Sequence, residues 1–143
     1  MTIHLIKLSV GPESIADLEH WQERHIQQMQ KLGLKPELIH TTRNTPKRAE
    51  ALLNGGSIYW VIKGWVCARQ KLLEIRPLVI NEEKYCGLVY APEMIRVSPR
   101  PHRPFQGWRY LKPEDAPADL SPSGGDEEMP DDMRRELIAL GLL

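Results

Sequence analysis

The chain has 143 residues, 41% of them hydrophobic and 27% charged, and its 19 Lys/Arg balance 19 Asp/Glu. That length accommodates one domain with a real core, plus a tail. The longest apolar runs are strand-length and broken by Lys63 or Arg69, so no transmembrane helix is expected, and residues 1–7 lack the basic start and long apolar run of a secretory signal.

The neutral total conceals a segregation of charge. Residues 1–40 carry 4 Lys/Arg against 5 Asp/Glu, residues 41–112 carry 13 against 5, and residues 113–143 carry 2 against 9. Eight of the nine aromatic side chains fall between Tyr59 and Tyr110. Cations interleaved with stacking surfaces suit a ligand that carries phosphates and bases. Cys67 and Cys86 are expected as free, half-buried thiols in a reducing cytoplasm.

Residues 2–8 read as an opening strand, closed by Gly11-Pro12. Ser14 is placed to cap a helix, with Asp17 as the capping-box acid. Leu18, Trp21, His25, Met29 and Leu32 follow at spacings of 3, 4, 4 and 3, which predicts one buried helical face. Gly33 stops this helix and Leu34 covers its end. A second, shorter helix is predicted over residues 46–54, capped by Thr45 and stopped by Gly55-Gly56.

After Ser57 the pattern turns to β. Residues 58–63 and 65–70 flank Gly64, read as a bulge or tight bend, and the extended run continues until Pro77 interrupts it. Alternation places Trp60 inside with Ile58 and Ile62, while Tyr59 and Lys63 face out or line a cavity. Residues 85–90 and 94–97 are further strands. The proline-punctuated residues 98–104 exclude a helix or a central strand. Residues 105–111 form a last strand, with Phe105, Gly107 and Arg109 on one face and Gln106, Trp108 and Tyr110 on the other. The fold expected is α+β: a small curled, mostly antiparallel sheet or barrel with two N-terminal helices and a peripheral C-terminal helix. Residues 1–112 make the domain, 113–129 an acidic Pro/Gly-rich linker, and 130–143 the C-terminal helix with Met133, Leu137 and Leu140 on one side.

Two groups of residues carry the candidate chemistry. Arg43, Lys47 and Arg48 surround an anion-sized site at the start of the second helix, where free N–H groups favour phosphate or carboxylate. Arg100, Arg103 and Arg109, with His102, Phe105, Trp108 and Tyr110, supply anion contacts and stacking faces. Arg69 either reads a polar edge of the ligand or pairs across strands with Glu74 or Glu83. The acidic run 126–132 either solubilises the chain or folds over the basic region. No His-Glu-x-x-His, Cys-x-x-Cys, nucleophile elbow or phosphate-binding glycine loop is present, so no metal, cofactor or catalytic signature is read.

Several runs together resemble an uncharacterised bacterial family, the domain of unknown function numbered 1489. They are residues 3–8, 46–50, 55–64 and 68–70, and the distinctive Arg103-Pro104-Phe105-Gln106-Gly107-Trp108-Arg109-Tyr110-Leu111-Lys112-Pro113. That resemblance implies no established activity. The helix ending in Gly-Gly, the Tyr59-Trp60-Val61 strand, Gly64 and the long partner strand through Arg69 also resemble the PUA-like group of small curled β-barrels, which often bind RNA or modified bases. The function expected is binding of RNA or another phosphate-rich ligand, or polyanion, through a basic, aromatic-containing surface, in the cytoplasm. The alternatives are a small-molecule enzyme or binding protein with a pocket near Tyr59, Arg69, Trp108 and Arg109, and a protein–protein adaptor.

Overall fold

The computed structural model describes residues 2–120 apart from Val10, Pro104 and Gln106. The predicted C-terminal helix, the acidic run 126–132 and the latter part of the predicted linker lie outside the described residues.

Strand β1 (His4–Leu8) leads into helix α1 (Ile15–Lys31). Ser14 caps the helix: its Oγ accepts the Asp17 N–H at 3.1 Å, and the Asp17 carboxylate accepts the Glu13 N–H at 3.2 Å. At the other end the Gly33 N–H donates to the Gln30 carbonyl and the Leu34 N–H to the Met29 carbonyl, the paired bonds of a Schellman ending. The buried face differs from the predicted stripe. Ile15, Leu18 and Gln22 are buried with Ile26 packed behind them, whereas Trp21 is 47% and Leu32 67% exposed. Both stripes have helical spacing, and a buried glutamine decides between them. The Gln22 amide exchanges two hydrogen bonds of 2.8 Å with the Gln70 amide, so its polarity is matched inside the core. A pattern that counts only apolar residues cannot find that face.

The remaining elements are β2 (Leu38–Thr42), α2 (Ala49–Leu53), β3 (Ser57–Ile62), β4 (Trp65–Ile80), β5 (Glu83–Tyr90), β6 (Ile95–Pro101) and β7 (Trp108–Leu111). The sheet runs β2-β5-β4-β3-β1-β7, with β6 also on β4. The β1–β3 ladder is parallel and the others are antiparallel, so the fold is α+β with a mostly antiparallel sheet. β5 and β6 lie in succession along β4, β6 on its first residues and β5 on its last. The chain then returns as residues 118–120 beside β6, where Ser98 N–H donates to the Ala118 carbonyl and Leu120 N–H to the Arg96 carbonyl. The Arg69 guanidinium grips the Asp119 carboxylate there through two bonds of 2.8 and 2.7 Å.

Three local expectations are corrected. β2 is a strand that the sequence reading did not find. Helix α2 starts at Ala49 rather than residue 46, so Thr45 caps nothing and Lys47 and Arg48 precede the helix. The segment ahead of the helix is held by tertiary contacts: Pro46 is buried, and the Arg48 N–H donates to the Tyr110 hydroxyl at 3.0 Å. At Gly64 the tight bend is the reading that holds: it is half of a two-residue hairpin turn, with φ of 50° at Lys63 and 82° at Gly64, the type I′ pattern that matches strand twist. The bulge lies at Cys67, across which the register with both β3 and β6 shifts. Pro77 does not end its strand, because β3 pairs with β4 only as far as Lys71. Beyond that point, among the described residues, β5 alone flanks β4, and a missing N–H on the edge away from β5 costs no ladder bond.

β3 is buried along its whole length, because the sheet carries a core on each side. Ile58, Trp60 and Ile62 pack with Leu5, Leu18, Leu52, Leu72 and Leu88 under the helices. Tyr59 and Val61 pack on the other side with Ile6, Val66 and Val97, beneath Phe105, Leu111 and Ala116. Trp60 is thus inside as expected, while Tyr59 neither faces out nor stays available as a stacking surface. The sheet curls until its two ends are joined: Trp108 Nε1 donates to the Asn44 carbonyl at 3.1 Å, beside the Tyr110 contact.

Gly56 sits where α2 meets β3, and a Cβ there would collide with the backbone carbonyl oxygens of Ile3 and Leu52. Neither oxygen belongs to a flexible side chain, so the chain itself has to shift. Gly56→Ala is expected to lower stability by about 1–3 kcal/mol, read as a fall in the urea midpoint at unchanged m-value.

Candidate ligand cleft

The nine residues singled out from the sequence divide between two sides of the sheet. On β7, Trp108 and Tyr110 face the α1 side and Arg109 the other, as the alternation predicted. Arg48 lies over the Tyr110 ring at 6.0 Å, and Arg43 lies over Tyr85 at 5.8 Å with Glu83 3.9 Å away. Lys47 is exposed in the turn before α2. Arg109 instead covers Phe105 at 5.5 Å on the opposite side, where Arg100 donates to the Asp115 carbonyl and Arg103 is exposed. Arg69 is committed to Asp119 and to the Ser57 hydroxyl at 3.0 Å rather than to Glu74 or Glu83. Those two acids go to Arg76 and Arg43. Tyr59 is packed in the core on that side, next to Arg69 and its partners.

A larger opening lies elsewhere, between α1 and the curled sheet. This cleft of about 570 Å³ is bordered by Lys7, His40, Trp60 and Tyr90 from the strands and by His20, Trp21 and Arg24 from the helix. Its position follows from strand register. Lys7 pairs with Trp60 of β3 on one side and with Trp108 of β7 on the other, and alternation from buried Leu5 turns all three side chains toward α1. The Trp60 ring meets His40 and Tyr90 edge-on, each at 5.7 Å. Trp21 lies flat against His25 at 5.4 Å and offers its other surface at the cleft rim. The floor is fixed from behind: Gln70 Oε1 accepts Trp60 Nε1–H at 2.9 Å, while Gln70 Nε2 donates to the Ala91 carbonyl at 3.0 Å.

Burial holds the Lys7 ammonium below its usual pKa, and among the described residues no carboxylate pairs with Lys7 or Arg24. Burial, and then the nearby Lys7 charge, bring His40 down to about 4. His40 is therefore neutral at pH 7 and offers one donor and one acceptor to a ligand. Burial raises Tyr90 to about 12, with the Gln22 side chain opposing the shift, so its hydroxyl stays protonated. The cleft combines aromatic walls, two cations without a carboxylate partner among the described residues, neutral polar atoms and one carboxylate, Asp17, which accepts the Glu13 N–H. It can hold a planar, anionic molecule.

The His40 shift has a consequence for stability. Its folded pKa lies below the ordinary 6.5, so the unfolded chain binds the proton more readily and stability falls as pH drops from about 6.5 to about 4. His40→Gln should remove that part of the slope, as measured by urea midpoints at several pH values.

Lys7, His40, Trp21 and Arg24 were not among the predicted site residues. The signal for Lys7 was present, since period-2 alternation puts it on the same face as Leu5. Finding the others required β2 and the true orientation of α1. Among the described residues no group of three His, Cys, Asp or Glu side chains is placed to hold a metal, and no helix is long and apolar enough to cross a membrane. Cys67 and Cys86 are buried and form no disulfide.

A family model described as "Protein of unknown function (DUF1489)" matches residues 5–143, and the chain belongs to that family. Neither a curated protein nor a solved structure matches the chain.

Proposed function

We propose that this member of the family binds a phosphate-bearing ligand with a planar ring, of the nucleotide or RNA class, in the cleft between α1 and the curled sheet. The observation that carries this reading is the position of Lys7. It is a cation without a carboxylate partner among the described residues, set in an inward row between Trp60 and Trp108. A desolvated ammonium beside aromatic faces gains most from an anion joined to a ring. The curling of the sheet and the helix above it support PUA-like character, and two buried thiols support a reducing, cytoplasmic setting.

Trp21 and Trp60 border the cleft, so occupancy should alter tryptophan fluorescence. Titration with the four ribonucleoside 5′-monophosphates and with a single-stranded RNA tetramer is expected to give saturable quenching by at least one of them. Affinity should weaken as salt rises, because phosphate contacts release counterions. Absence of quenching and of calorimetric heat with every probe overturns the reading.

A further inference from the structure

Next to the large cleft is a second basin of about 380 Å³, bordered by Lys7, Thr41, Thr42, Arg43, Asn44, Gly107 and Trp108. Lys7 borders both spaces, so one ammonium stands between an aromatic-walled chamber and a polar one. The chambers differ in chemistry. The first offers rings, and the second offers hydroxyls and the Arg43 guanidinium.

The far side of the second basin is bolted. Trp108 Nε1 donates to the Asn44 carbonyl at 3.1 Å and the Tyr110 hydroxyl accepts the Arg48 N–H at 3.0 Å, joining β7 to the chain between β2 and α2. A nucleic-acid strand whose base occupies the first chamber cannot thread onward across that seam without breaking these bonds. Two cations beside that closed seam match a terminal phosphate monoester, which carries a charge of about −1.5 to −2 at pH 7, better than the single charge of an internal diester.

Building on the cleft assignment, we infer that the second basin receives a terminal 5′-phosphate, so that the ligand is a nucleoside 5′-monophosphate or the 5′-phosphorylated end of an RNA, with its base in the first chamber. The exposed Thr41 hydroxyl donates to the phosphate oxygens, the Thr42 hydroxyl being committed to the Asn44 carbonyl at 3.0 Å, and Lys7 and Arg43 balance the charge, Arg43 exchanging its 3.9 Å contact with Glu83 for the phosphate.

The test compares calorimetric affinities of each nucleoside with its 5′-monophosphate, and of a 5′-hydroxyl RNA tetramer with the same tetramer 5′-phosphorylated. The full chain and the variants Arg43→Ala and Thr41→Val are used. Arg43 is mostly exposed and Thr41 exposed, so both variants should fold, which a thermal melt checks. The 5′-phosphate is expected to tighten binding at least tenfold in the native chain, and each variant should lose most of that increment while keeping the nucleoside affinity. A preference for monophosphate over phosphorylated tetramer identifies a free nucleotide, and the reverse identifies an RNA end. Equal binding with and without the phosphate overturns the inference and leaves the cleft reading standing. So does a phosphate preference that survives both variants. If no probe binds at all, the cleft reading and this inference fall together.

Discussion

Gln70→Leu should be the most destabilising conservative change in the described core, at about 3–4 kcal/mol, because each buried group left unpaired costs about 1–3 kcal/mol. Gln70 is fully buried and serves three partners: the Trp60 indole, the Gln22 amide and the Ala91 carbonyl. Leucine keeps the volume and deletes every one of those bonds. The loss should appear as a lowered urea midpoint followed by tryptophan fluorescence. Adding Gln22→Leu should recover part of it, since two apolar side chains in place of a matched amide pair leave fewer orphaned groups. A single-variant loss below about 1 kcal/mol would show that water or a shifted side chain satisfies these groups.

The second large effect concerns binding. Lys7→Met keeps the length and apolar stem of the side chain and removes the charge at the junction of the two chambers. A hydrogen bond to a charged group contributes about 1.5–3 kcal/mol, so affinity for a 5′-monophosphate should fall roughly ten- to hundred-fold. Stability should hold or rise, because burial disfavours the free ammonium and methionine carries no such cost. The variant also frees His40 from the Lys7 charge, so the His40 pKa should move upward from about 4 when followed by NMR. A variant that binds as tightly as the native chain contradicts the assigned role of Lys7.

How far the sequence reveals this arrangement depends on whether the deciding interaction is local. The Ser14 cap, the Gly33 ending, the alternation along β3 and the faces of β7 are set by neighbours within a few residues, and each was legible. The face of α1 was not, because the choice between Trp21 and Gln22 rests on Gln70, 48 residues away. The start of α2 at Ala49 was not legible either, since the segment ahead of it is held by contacts from far along the chain, among them the Tyr110 hydroxyl 62 residues from Arg48. The cleft was hidden for the same reason: its walls come from β1, α1, β2, β3 and β5 and meet only when the sheet curls. Charge and aromatic counting singled out Arg43 and Trp108, which border the second basin, but it could not show that Arg69 is held by Asp119 or that Arg109 lies on the opposite side.

The central claim is that the ligand sits under α1 and not on the arginine-rich side formed by Arg69, Arg100, Arg103 and Arg109. Chemical-shift mapping on uniformly labelled protein, titrated with a ribonucleoside 5′-monophosphate, separates these two locations in one experiment. The predicted result is a contiguous set of perturbed signals at Lys7, Trp21, His40, Trp60 and Tyr90, extending to Thr42 and Arg43, with the indole signals of Trp21 and Trp60 moving most. Perturbations confined to Arg100, Arg103, Phe105 and Arg109, with the Lys7 and His40 signals unmoved at saturation, would contradict it.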